Sequence, residues 1–180
     1  ELLKGVEKVL AGNMYLSSAI TRAALAKENI LPENIKILNS KLHRPPVLAD
    51  YVVRSKIILQ LESNVVKPLS VISAGAVYGK SVVASQWLDQ TQYHKAWLTL
   101  DEEHNDLRIF LSYLVAAIEK VLPGMLKNTW DLVSAALLPP IENISYTLIN
   151  ELCDIDEDII LVLDDYHLIK ERKIHDLINE

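Results

Sequence analysis

Ala74-Gly-Ala-Val-Tyr-Gly-Lys-Ser81 decides how this chain is read. A short apolar run, Leu69 to Ser73, precedes it and reads as a buried strand. A helical pattern, Ser81 to Asp89, follows it. A glycine-bearing turn between a strand and a helix, closing on Gly-Lys-Ser, is the setting of a P-loop. The chemistry is anion binding: successive backbone N–H groups and the helix N-terminus converge on phosphate oxygens. In that frame Gly75, Ala76, Val77, Tyr78 and Gly79 form the cradle, with Gly79 letting the backbone approach closely. Lys80 reaches the β- and γ-phosphates, and the Ser81 hydroxyl ligates Mg²⁺. Two positions depart from the pattern. Ala74 stands where it has glycine. Val77 lies mid-loop, where a β-branched residue resists positive φ. The plain alternative is a strand–helix turn that contains Gly-Lys-Ser.

The second half of such a site lies about 80 residues downstream, in Ile159-Ile-Leu-Val-Leu-Asp-Asp165. An apolar strand ending in two carboxylates has the Walker B form. Asp164 is placed to hold Mg²⁺ through water, and Asp165 to orient or activate the attacking water. The two motifs together are far more specific than either alone. Other acidic and histidine patterns carry no such chemistry. Asp154 to Asp158 lacks the glycine and the glutamate of an EF-hand loop. The five histidines contain no His-x-x-x-His pair.

Outward from these motifs, helix-spaced apolar residues predict helices over 52–61, from Asn105 or Asp106 to about Leu122, and from Asn143 to Cys153. A short helix is read from Asp131, and another begins at Ile174. Ala96 to Leu100 and Ile159 to Leu163 read as strands, the latter covered on both faces. Strands alternating with helices predict an α/β fold with a parallel sheet. Residues 1–10 and 17–26 read as helices. The reading divides the chain into a helical arm (1–27), a linker (28–46) and an NTPase part (47–180).

Composition narrows the classes. Half of the 180 residues are hydrophobic and 23% are charged, as in a globular domain. The single cysteine, Cys153, excludes an intrachain disulfide framework. The longest strongly apolar run is five residues, Ile159 to Leu163, against the roughly 20 a membrane helix needs. No secretion signal is read, so a cytoplasmic setting without membrane contact is expected. Net charge is −6, and the acidic body does not suit bulk nucleic-acid binding. Starting on Glu1 and stopping at Glu180 within a helical pattern, the chain is expected to be a piece of a longer protein.

Four blocks carry a family resemblance. They are Ser-Lys-Leu-His-Arg-Pro-Pro at 40–46 with Val-Val-Arg at 52–54; the phosphate loop with Ser-Gln-Trp-Leu at 85–88; Ala-Trp-Leu-Thr-Leu-Asp-Glu-Glu-His-Asn-Asp at 96–106; and Leu-Val-Leu-Asp-Asp-Tyr-His-Leu-Ile at 161–169. From Ser40 to Ile169 the chain resembles the ATPase domain of the large ATP-binding, MalT-like LuxR-type transcriptional regulators, within the STAND class of P-loop NTPases. The resemblance implies a P-loop NTPase fold, a parallel sheet flanked by helices, incomplete at the C-terminus and preceded by a short helical arm. It implies strand order 5-1-4-3-2, so the P-loop strand and the Asp-Asp strand flank a gap here. It also implies ATP and Mg²⁺ as cofactors, Arg54 near the base, self-association, and DNA contact only through a module outside this chain. The family usually has Gly where this chain has Val77, and often Pro where it has Gly75. Residues 1–24 resemble the end of a response-regulator receiver domain. The readings that compete are an ATP-hydrolysing regulatory switch, a degenerate non-hydrolysing P-loop scaffold, and a small-molecule P-loop kinase.

Overall fold

The structure, a computed structural model, describes residues 35–48, 50–75 and 77–179. The expected helices within 1–10 and 17–26, and the receiver-like segment, lie outside the described residues. Two strands, β1 (His94–Thr99) and β2 (Ile159–Asp164), pair in parallel, from His94 opposite Ile159 to Thr99 opposite Asp164. A parallel pair needs a long crossover. Here it runs through α3 (Leu107–Glu119), α4 (Lys127–Val133) and α5 (Ile141–Cys153). Helix α1 (Ser55–Ser63) and helix α2 (Lys80–Gln90) precede the sheet, and α6 (Arg172–Ile178) follows it.

Side-chain parity builds three layers. Successive strand residues point to opposite faces. Ala96, Leu98, Leu161 and Leu163 therefore join the core under α3, while Trp97, Ile160 and Val162 join a second core beneath α1 and α2. The larger core centres on Phe110, Leu111 and Val115 of α3, all fully buried. The Asp106 carboxylate starts that helix by accepting from the Ile109 N–H at 2.9 Å, which decides between the two caps the sequence offers. Glu119 terminates the following turn, accepting from the Gly124 N–H at 2.6 Å. The Glu151 carboxylate on α5 receives the Asn128 and Thr129 N–H groups at the head of α4. Burial alone would raise its pKa. The hydrogen bonds from Thr129 and Asn128 outweigh that and hold it below the usual glutamate range.

Three expectations are corrected. Leu69 to Ser73 is not a strand: it has no ladder partner, and Leu69 and Val71 are exposed. Among the described residues the sheet has two strands. A lone extended segment with no neighbour leaves its N–H and C=O groups to water. For the same reason β2 is packed on both faces yet half-buried throughout. Asn143 does not cap α5. The helix starts at Ile141 behind Pro140, whose carbonyl accepts from the Asn143 N–H, and proline's fixed φ suits a helix start. Helix α1 begins at Ser55 rather than Val52, leaving Val52 and Val53 exposed.

The later part of the segment read as a linker is packed onto this body. Leu42 is buried in the core. Lys41 pairs with Asp101, and Arg44 pairs with Asp89.

Candidate functional site

The Gly79-Lys80-Ser81 turn and the Asp164 carboxylate meet at the C-terminal end of the sheet. Gly79 precedes α2 in the left-handed region, at φ 74°, which glycine reaches without strain. That turn puts Lys80 and Ser81 in the first turn of α2. Asp164 ends β2 opposite Thr99 of β1. Its even position in the strand sends its side chain to the α2 side, with Ile160 and Val162.

The Ser81 hydroxyl donates to Asp164 Oδ1 at 2.9 Å, across 83 positions of sequence. The same Oδ1 accepts from the Asp165 N–H at 3.1 Å. Asp165 itself sits at φ 58°, in the left-handed region that aspartate and asparagine enter more readily than other non-glycine residues. This turn separates the two carboxylates and leaves Asp165 reaching outward, 3.8 Å from His167 Nδ1. A hydroxyl beside a carboxylate at a helix N-terminus is a hard-oxygen donor set that suits Mg²⁺, which keeps most of its shell as water and phosphate oxygen. No larger cluster of metal-holding His, Cys, Asp or Glu occurs among the described residues.

Lys80 Nζ donates to the carbonyls of Ala74 and Gly75, 3.1 Å each. The ammonium thus curls across the mouth of the loop, bonded to carbonyls that a phosphate would displace. Tyr78 lays its ring beside Gly75, where an added Cβ would meet Cδ2 and Cε2 at 3.3 Å. Ala76 lies outside the described residues. Arg54 is exposed at the head of α1, with Nη2 3.9 Å from where a Cβ on Gly79 would stand. It therefore borders the loop, one residue from Lys80.

Val77 takes φ 60° with its side chain fully exposed. The positive φ that the loop path demands is thus held by a β-branched residue, at a cost on the order of 1–3 kcal/mol. The exposed side chain recovers no packing in return. Val77→Gly removes that cost and favours the closed path. On the ATP-binding reading proposed below, affinity for ATP is expected to rise by up to about tenfold, equivalent to ~1.4 kcal/mol. Side-by-side calorimetric titrations check it, and equal or weaker binding by the glycine variant would mean that Val77 imposes no strain on binding.

The loops after the two strands are stitched together by residues of the 96–106 block, for which the sequence reading gave no such contacts. Asn105 accepts from the Lys170 and Glu171 N–H groups and donates to the Leu168 carbonyl. Asp101 and His104 form a capping box just beyond β1. His104 is fully buried against the Tyr113 ring, 4.7 Å between centroids. The Asp-x-x-His spacing after a strand is the one local signal of this cap.

No protein-family model matches the chain. Over 140 residues, 78% of the chain, it is 34% identical to a regulator from Yersinia pestis, and equally so to one from Klebsiella pneumoniae. Both carry the same name. The chain is similar to the HTH-type transcriptional regulators MalT. It spans 15% of the length of these relatives. The MalT likeness agrees with the resemblance carried by the four blocks, and it supports a module of a transcriptional regulator. No helix among the described residues is long and apolar enough to cross a membrane.

Proposed function

We propose that the chain is an ATP-binding and ATP-hydrolysing switch module of a cytoplasmic LuxR-type transcriptional activator, with a STAND-class P-loop NTPase fold. It would self-associate in the complete protein and contact DNA through a part outside this chain. One observation supports this most: the Ser81 hydroxyl and the Asp164 carboxylate, far apart in sequence, are hydrogen-bonded at 2.9 Å beside Lys80. Nothing in a plain loop–helix turn requires its serine to meet an acidic strand end.

On this reading Lys80 leaves the Ala74 and Gly75 carbonyls for the β- and γ-phosphates. The backbone from Gly75 to Gly79 turns its N–H groups inward. Ser81 and Asp164 would hold Mg²⁺, which supplies charge neutralisation at the transferring phosphate. Asp165 orients the attacking water. Arg54 approaches the bound nucleotide from the α1 side.

The test is calorimetric titration of ATP into the complete protein, with and without Mg²⁺. Lys80→Ala is expected to weaken binding at least tenfold, about 1.4 kcal/mol. Unchanged affinity would remove the phosphate-loop reading. The competing reading, a scaffold that no longer turns ATP over, is favoured by the positive φ of Val77. Wild-type protein that binds ATP without hydrolysing it would establish that reading instead.

A further inference from the structure

At the opposite end of the sheet from the phosphate loop lies a cavity of about 180 Å³. Trp97, Leu88, Leu42 and Ala117 are its buried apolar members, and Arg44, Lys95, Lys120 and His43 are its polar ones. Lys95 precedes Thr99 by four strand residues, about 13 Å at strand rise, so the cavity is remote from Asp164. We propose that it is a binding site for a small anion, a carboxylate or phosphate group on a short apolar stem.

The charge balance carries the proposal. The chain as a whole is acidic, at −6, yet this cavity gathers three permanent cations. Arg44 is pinned in place, donating to the Ser85 carbonyl at 2.9 Å and pairing with Asp89. Lys120 Nζ donates to the Leu42 carbonyl at 2.8 Å and to His43 Nε2 at 3.1 Å. Both acceptors are neutral, so the Lys120 charge is not compensated. Because His43 Nε2 accepts, its Nδ1 carries the proton and donates to the Asn39 carbonyl. The Lys95 side chain makes no hydrogen bond or ion pair among the described residues. It shares a strand face with Trp97, which turns it toward the cavity.

Arg44 and Lys120 have structural work, since they tie the 39–44 segment to α2 and α3. Lys95 has none. A half-buried cation beside a buried indole, near a second uncompensated ammonium, is costly without a counter-charge. An anion between Lys95 and Lys120 supplies it, and the two anchored side chains make the site preorganised. Trp97 and Leu88 offer an apolar floor for the stem. The volume falls below the roughly 300–1,000 Å³ of drug-sized pockets, so a whole nucleotide does not fit.

The experiment uses the complete protein carrying Lys80→Ala, which silences the phosphate loop, titrated separately with succinate and with inorganic phosphate. Saturable binding of at least one probe is expected. Lys95→Gln should weaken it at least tenfold, and Lys95→Arg should retain it, with both variants as folded as the parent by circular dichroism. Binding of phosphate alone marks a phosphate ester as the natural ligand class, and binding of succinate marks a carboxylate. The proposal is overturned if neither probe saturates, or if Lys95→Gln binds as the parent does.

Discussion

In an Asp165→Asn protein, ATP is expected to stay bound while its hydrolysis slows by at least about a hundredfold, the lower end of what a positioned acid–base group contributes. The expectation rests on the proposed switch function and on the geometry of the two carboxylates. Asp164 is engaged, accepting from the Ser81 hydroxyl and the Asp165 N–H. Asp165, at φ 58°, lies 3.8 Å from His167 Nδ1 and takes no part in the Ser81 hydrogen bond. Asparagine also tolerates that conformation, so the backbone should survive the substitution. The change then removes only the charge that would orient a water. Because that charge matters chiefly in the transition state, kcat should fall while affinity holds. Asp164→Asn should differ: it weakens the oxygen pair with Ser81, so the Mg²⁺ dependence of ATP binding should be lost as well. Steady-state hydrolysis and ATP titration on both variants separate the roles. Wild-type hydrolysis by both would show that the carboxylates do no chemistry on ATP.

Phe110→Ala is expected to lower the stability of the chain by about 3–5 kcal/mol, the range for truncating a buried aromatic residue. Phe110 is fully buried in the first turn of α3, whose side chains form one wall of the larger core together with Leu98, Leu126 and Ile144. A cavity there loosens the packing of β1, α4 and α5 against the same helix. That magnitude is a large fraction of the 5–15 kcal/mol by which domains are stable. Urea unfolding monitored by tryptophan fluorescence measures it. A loss below about 1 kcal/mol would mean that the core collapses around the gap, and that α3 is not its organising element.

Much of this molecule was legible in one dimension. The run Ile159 to Leu163 is apolar, with β-branched Ile159, Ile160 and Val162, and with Asp164 it is a strand paired in parallel with the one begun at His94. Local chemistry wrote both the strand and the carboxylates at its end. The α3 pattern and its aspartate cap were equally local. Gly79 was legible as a point of close backbone approach, and the structure adds its left-handed φ of 74°. These features depend on neighbours within a few residues, where side-chain period and backbone sterics decide.

What the sequence could not decide was anything set by a partner distant along the chain. Leu69 to Ser73 has strand composition, but a strand exists only against another strand, and none lies beside it among the described residues. The segment from Asn39 to Pro46 is rich in proline and polar residues and reads as a linker, yet Leu42, Lys41 and Arg44 bind it to the core, to Asp101 and to Asp89. The hydrogen bond from Ser81 to Asp164 is of the same kind. Each motif names its half of the site, and only the parallel pairing of β1 with β2, with α2 packed across them, brings the halves within 2.9 Å. The cationic cavity around Lys95 is the extreme case. Its residues come from the 39–44 segment, α2, β1 and α3, and no spacing in the sequence relates them. Burial and convergence of like charges are properties of packed surfaces, and only the tertiary structure sets them.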